Sequence, residues 1–251
     1  MASIGELIAR FSGEQEAAYK AYRQVEQMVV KANAPGKEAE RAQLAADLAG
    51  ELWALTEPKK DDKGKDVPRT PIHSVGARIK ILRLLQGVAG EKEVPAIAKA
   101  VGDLELREDA RCTLDRIPSH EADKVLVSAL ETAVGAEFRV GIIASLAGRP
   151  NAFVMAALRK ATADCEREVA LAAVEALAHF PEPANDEFLA KAAQCPCAFT
   201  RRRVSKARVR FAENLAKSGA KPAAKKVYAA IAAGDAEAPQ KKAAEMALKA
   251  L

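Results

Sequence analysis

From residue 72 to about residue 197 the apolar positions recur three and four places apart in short blocks, the period of one buried helical face. Four blocks, "ARIKILRLLQGV", "DARCTLDRIPSH", "FRVGIIASLAGR" and "EVALAAVEALAHF", superpose with Leu85, Ile117, Leu146 and Leu177 in register, separated by 32, 29 and 31 residues. After each comes a break rich in Gly or Pro and then a second short amphipathic run: "EVPAIAKAV", "EADKVLVSAL", "NAFVMAALRKA" and "NDEFLAKAA". Helices this short are unstable alone, so two of them per repeat of about 30 residues must bury their apolar faces on the neighbouring repeat. The pattern predicts an all-α array of about five to seven helical pairs.

The breaks carry stop and start chemistry. Gly148 is placed to end a helix in the left-handed conformation and Asn151 to cap the next, while Pro118 and Ser119 make the same stop and start one repeat earlier. Upstream, residues 1–56 read as a helical cap. Ser12 and Gln15 have capping-box spacing before "EQEAAYKAYRQVEQMVVKA", Pro35 and Gly36 break that helix, and Leu44, Leu48, Leu52 and Leu55 form a stripe beside Trp53, which is expected to be a buried anchor. Residues 57–71, "EPKKDDKGKDVPRTP", hold three prolines, a run of charges and one aliphatic residue, and are expected to form an exposed, mobile loop. The repeats occupy residues 72–197. Residues 198–251 continue the pattern more loosely as basic helices that close the same array, ending in "KKAAEMALKAL".

Composition sharpens this picture. Alanine supplies much of the 49% apolar content and aromatics only 4%, a mix suited to close-packed helices rather than sheets. The longest apolar stretch, near "VGIIASLAG", is far short of a membrane span, and "MASIGELIARFSGEQEAAYK" lacks a basic start followed by a long apolar run, so the expected location is cytoplasmic. Cys112, Cys165, Cys195 and Cys197 in a chain of 251 residues are expected as free thiols. The charge is uneven. Residues 198–251 hold 13 Lys or Arg against 4 Asp or Glu, while the chain as a whole is only +5. A field of that kind steers acidic partners.

The quoted blocks resemble HEAT-like repeats. "ATADCEREVALAAVEALAHF" is similar to the short bacterial type, with an acidic turn before a helix of small residues, and "LELREDARCTLDRIPSHEADKVLVSALETAVGAEFRVGIIASLAGRP" is similar to HEAT-repeat proteins of planctomycete-type bacteria. The resemblance implies a right-handed α-α superhelix that holds other macromolecules. It also implies an arginine near each helix start. Arg78, Arg111 and Arg139 match that place, while Ala170 stands where the fourth would be.

Enzymatic relatives of that fold are tested by the residues. Deoxyhypusine hydroxylases need several His-Glu pairs for two irons, whereas only His120-Glu121 occurs and His73 and His179 lack a following Glu. DNA glycosylases of the fold need an aromatic-lined basic groove, and Trp53 lies far from the basic region. Bilin lyases share the fold without a distinguishing motif here. Cys195-Pro196-Cys197 supplies two thiolates, but a closed zinc site needs four ligands, and proline between small apolar thiols suits a helix boundary. No phosphate loop, GxSxG or HExxH sequence appears. The sequence therefore predicts a non-enzymatic scaffold with no cofactor, no metal, no membrane contact and no small-molecule substrate.

"RRRVSKARVR", residues 201–210, supplies the candidate partner-binding residues. On a helical wheel Arg202, Arg203, Lys206 and Arg210 fall within an arc of about 100°, opposite Val204, Ala207, Phe211 and Leu215. Arg201 completes the triplet of arginines, and Lys221, Lys225 and Lys226 extend the patch if the next helix packs alongside. Planar guanidiniums suit carboxylate or phosphate. An acidic protein partner is expected, docking on this helix together with a face built from the second helices of successive repeats. The alternatives are a scaffold that grips nucleic-acid phosphates without specificity, and a maturation factor or lyase subunit for a cofactor protein.

Overall fold

The computed structural model describes residues 2–251. Among the described residues there are fourteen α-helices and no strand, and each helix packs chiefly on its near neighbours in the chain. The fold class is the one the periodicity predicts, an all-α fold of paired helices. Contacts divide the chain into two compact units, at the boundary between Ala129 and Leu130.

The first unit contains α1 (Ile4–Ala9), α2 (Gln15–Ala32), α3 (Glu38–Leu52), α4 (Val75–Leu85), α5 (Val94–Val101) and α6 (Arg107–Asp115), and the division falls within α7 (His120–Thr132). Here α4 packs on α3 and α6, and α5 on α3 and α6. The second unit contains α8 (Ala136–Leu146), α9 (Ala152–Ala161), α10 (Arg167–Leu177), α11 (Asp186–Ala193), α12 (Ala198–Lys217), α13 (Lys221–Ala233) and α14 (Ala238–Ala250). In it α8, α10 and α12, the first helices of successive pairs, form one row, while α9 and α11 pack on α10 and α11 and α13 on α12. The register residues are core in both units: Leu85, Leu146 and Leu177 are fully buried and Ile117 nearly so.

The helix ends divide into those the sequence placed and those it misplaced. The Asn151 side chain accepts from the Val154 N–H at 2.9 Å and the Ser119 hydroxyl from the Ala122 N–H at 3.2 Å, as expected of caps. Ser12 is not a cap. The residue before α2 is Glu14, too far along for the Ser12 hydroxyl to reach the first free N–H groups, and Ser12 Oγ meets Ser74 Oγ at 2.6 Å instead. The capping box of this region is Ser3 with Glu6 at α1. Gly148 does not adopt a left-handed conformation either. Right-handed Ala147 closes α8, the Arg149 N–H bonds back to Leu146 O at 3.0 Å, and Pro150 then forbids continuation. Left-handed glycine is used at Gly219, where a φ of 92° turns the chain from α12 into α13.

Trp53 is half-buried rather than enclosed. Its indole N–H donates to Ala96 O at 2.7 Å, and the Arg78 guanidinium lies 4.4 Å from its ring centre. Residues 57–71 are exposed throughout, yet their backbone is paired: Leu55 bridges Pro71, Lys60 bridges Asp66, and the Val67 N–H donates to Lys59 O at 2.8 Å.

The arginine place carries a repeated geometry. Arg78 and Arg139 are each the fourth residue of their helix, and each Nε donates to the carbonyl of a preceding helix, Leu52 O at 3.2 Å and Leu130 O at 3.0 Å. Each also faces an aspartate 25 residues later, Asp103 at 3.8 Å and Asp164 through both terminal guanidinium nitrogens. Arg111 pairs with Glu108 one turn earlier, and Ala170 leaves its place empty. The series resumes at Arg201, again the fourth residue of its helix, whose Nη1 donates to Cys195 O at 3.0 Å and Pro196 O at 2.6 Å while its Nε faces Asp235 at 3.7 Å. Buried carbonyls past a helix end need donors, and a guanidinium can serve two at once.

Candidate partner-binding cleft

Helix α12 is long because nothing interrupts its 20 residues, and its apolar side is as expected: Val204, Ala207, Phe211 and Leu215 are buried. Arg208 is buried on that side as well, held by Asp186 at 2.9 Å. The opposite face carries Arg202, Lys206, Arg210 and Lys217 at the surface.

The arginine triplet is occupied within the second unit. Arg203 holds Glu175 through two bonds, Nε at 2.7 Å and Nη2 at 2.6 Å, and Glu168 through Nη1 at 3.2 Å. These carboxylates hold its guanidinium still more firmly protonated than usual, the Glu175 hydrogen bond most of all. Arg202 pairs with Glu237 at 2.7 Å, and Arg201 occupies the repeat arginine place described above. By contrast Lys206, Lys221, Lys225 and Lys226 have no carboxylate partner among the described residues, and all four are exposed. Helix α13, which bears three of them, does pack on α12. Thus the cations divide by type, arginines engaged and lysines free, with Arg210 the exception.

Arg210 and Arg203 border a cleft of about 510 Å³ across the row α8, α10, α12. Its floor is built of Val140, Ile143, Ala144, Ala147 and Gly148 from α8 and its end, with Ala172 and Ala176 from α10. Glu175 and His179 complete the rim. The cleft therefore opens on the first helices of the pairs. The small residues that line it sit in the C-terminal halves of α8 and α10, where their missing bulk leaves the space. Arg210 donates from Nη1 to His179 Nε2 at 3.3 Å. Burial, and then the Arg210 charge, hold the His179 imidazole below the usual histidine range.

The remaining candidates are dispersed. His73 pairs with Glu51 at 2.7 Å in the first unit, and Glu121 is engaged by Lys124 at 2.7 Å. Cys195 and Cys197 flank the turn into α12; the Thr200 backbone N–H, the largest influence, helps hold the Cys197 thiol below its ordinary value. Among the described residues no group of three or more His, Cys, Asp or Glu is placed to hold a metal ion, and no helix is long and apolar enough to cross a membrane. Near the basic helix Phe199 is exposed under the Arg203 guanidinium, 5.6 Å from its ring centre, whereas Tyr228 and Phe211 are buried.

No family profile matches the sequence, and no curated protein matches it. Among solved structures it is similar to Kap121p, with a TM-score of 0.55 at 12% identity over 97% of this chain and 29% of that one. It is also similar to a designed armadillo repeat protein in complex with the peptide (KR)4, with a TM-score of 0.44 at 16% identity, covering 84% of this chain and all of that one. The complex of CpcE and CpcF of phycocyanin lyase from Nostoc gives 0.45 at 18% identity, covering 99% of this chain and 87% of that one. At these identities the likeness concerns the fold, which is that of helical repeat proteins.

Proposed function

We propose that this chain is a non-enzymatic protein-binding scaffold of the HEAT-like, short bacterial type, working in the cytoplasm, and that an acidic partner docks on the second unit. The observation that carries the reading is the cleft across α8, α10 and α12, whose apolar floor is bordered by Arg210 and followed along α12 by unpaired Lys206. Apolar floors give docking energy, and a few charges at the rim fix orientation. The second unit holds 19 Lys or Arg against 13 Asp or Glu, a surplus that speeds encounter with an acidic protein. In the same reading residues 1–56 are a helical cap, 57–71 a mobile loop, 72–197 the repeats and 198–251 their basic closing helices. Of the predicted contact residues, Lys206 and Arg210 meet the partner first, Lys221 and Lys225 extend the field, and Arg201, Arg202 and Arg203 act mainly by shaping the surface.

The test is capture by the tagged full chain from lysate after nuclease, comparing wild type with Lys206→Glu/Arg210→Glu. The reading expects a discrete acidic protein that the double variant loses at unchanged thermal stability. A second reading, phosphate-backbone binding, draws on the free Lys221, Lys225 and Lys226. It expects capture to vanish with nuclease and to weaken steeply with salt.

A further inference from the structure

We propose that the cleft reads one carboxylate on an acidic segment of the partner protein, with Arg210 taking the carboxylate and the His179 ring closing on its second oxygen. This rests on the scaffold reading and names the chemistry recognised at its site.

Two guanidiniums border the same cleft, and they are in opposite states. Arg203 has Nε and both terminal nitrogens bonded to Glu175 and Glu168, so its charge is already matched by carboxylates and no edge of its fork is free for a bidentate ligand. Arg210 has five donors and a single polar contact, an imidazole nitrogen rather than a carboxylate. A guanidinium at the edge of an apolar floor, with its fork uncommitted, is matched by a planar carboxylate.

The floor suits a peptide backbone. A Cβ added at Gly148 would meet nothing within 4 Å, and Ala144, Ala147, Ala172 and Ala176 present only methyl groups. A chain segment can therefore lie close to the helices, and its approach displaces water from around the ion pair, which strengthens it.

His179 adds a proton to the event. To accept from Arg210, Nε2 must be unprotonated, which the burial and the neighbouring cation favour. The charged groups facing the ring are Arg210 from α12 and, one turn earlier on α10, Glu175, already held by Arg203. From α8 the lining is uncharged. An arriving carboxylate offsets the Arg210 charge and offers an acceptor, so Nε2 takes one proton from solvent and donates to the carboxylate. The Arg210–His179 bond is exchanged for two bonds to the ligand.

The experiment uses the full chain with a blocked Glu-Ala peptide, its Gln-Ala counterpart, and glutarate. Binding is read by anisotropy or competition, and the His179 ring by NMR titration, its signal assigned with His179→Gln. The Glu peptide is expected to bind about tenfold or more tighter than the Gln peptide, and to raise the His179 midpoint by about half a pH unit or more. Affinity should rise several-fold from pH 8 to pH 6. Arg210→Gln should raise the midpoint in the free protein and abolish the peptide-induced shift, while Arg210→Lys, keeping charge without the fork, should retain most of the free-state depression yet bind weakly. Peptide binding with an unmoved His179 and no pH dependence would overturn the inference and leave the scaffold reading intact. So would failure of the peptide to bind while partner capture persists. Failure of both removes the scaffold reading as well, and glutarate matching the peptide would replace a protein ligand with a small acid.

Discussion

The two halves of the stretch 201–210 look alike in sequence and behave differently in the structure. In the first, Arg201, Arg202 and Arg203 are bound to carbonyls and carboxylates of their own unit, contributed from Glu168 to Glu237. In the second, Arg208 is buried on Asp186, but Lys206 and Arg210 face solvent without a carboxylate, and Arg210 borders the cleft. Charge density along a chain is therefore a poor measure of the field it presents, because partners distant in sequence cancel the densest part. What remains for a ligand is sparser and lies one or two turns further along the helix.

The comparison breaks most visibly at the repeat arginines. Arg139, three-quarters or more shielded and paired with Asp164 and Leu130 O, should lose about 3 kcal/mol on replacement by Ala, whereas Lys206→Ala should stay within about 0.5 kcal/mol. Urea unfolding of the two variants measures the contrast. At Arg203, whose pair with Glu175 is about a third exposed, a double-mutant cycle of Arg203→Ala and Glu175→Ala should give a coupling of about 1 kcal/mol. The same cycle for Arg202 and Glu237, about half exposed, should give less than that, about 0.5 kcal/mol or below. Removal of the cap in Asn151→Ala should cost about 1 kcal/mol, without effect on any binding.

The smallest effect is one of pH. Because the folded His179 sits below its unfolded value, the unfolded chain takes up the proton first, and stability falls as pH drops through about 6.5. His179→Gln should remove that part of the acid sensitivity in thermal melts taken from pH 8 to pH 5. Asp164 is shifted in the same direction, downward, and has the same consequence at lower pH. The Arg139 hydrogen bond, the largest influence, holds it below the carboxylate range, so its contribution is present above about pH 4 and lost only in stronger acid.

The helical pairs were legible in the sequence because burial repeats locally: Leu85, Leu146 and Leu177 are both periodic and fully enclosed. Asn151 and Ser119 were legible as caps because a cap bonds three residues away. Ser12 has the same spacing and fails, since Gly13 and Glu14 intervene before α2 starts and shift the register of the free N–H groups. The role of Arg203 was not legible. Glu175 lies 28 residues upstream, on another helix, and only packing brings the two together. Arg201 was legible in principle, 31 residues beyond the empty place at Ala170, but its neighbours in the triplet drew it into the docking motif. The cleft was hidden because its floor is defined by missing bulk at Ala144, Ala147 and Gly148, and small residues leave no periodic mark.

The central claim is that the arginine triplet holds the second unit together while the Lys206–Arg210 edge meets the partner. Its most direct test compares two charge reversals of equal size, Arg202→Glu/Arg203→Glu and Lys206→Glu/Arg210→Glu, in thermal stability and in binding of the acidic Glu-Ala peptide. The account predicts a lowered melting temperature for the first pair, and for the second an unchanged melting temperature with binding lost. Unchanged stability in the first pair, or intact binding in the second, would contradict it.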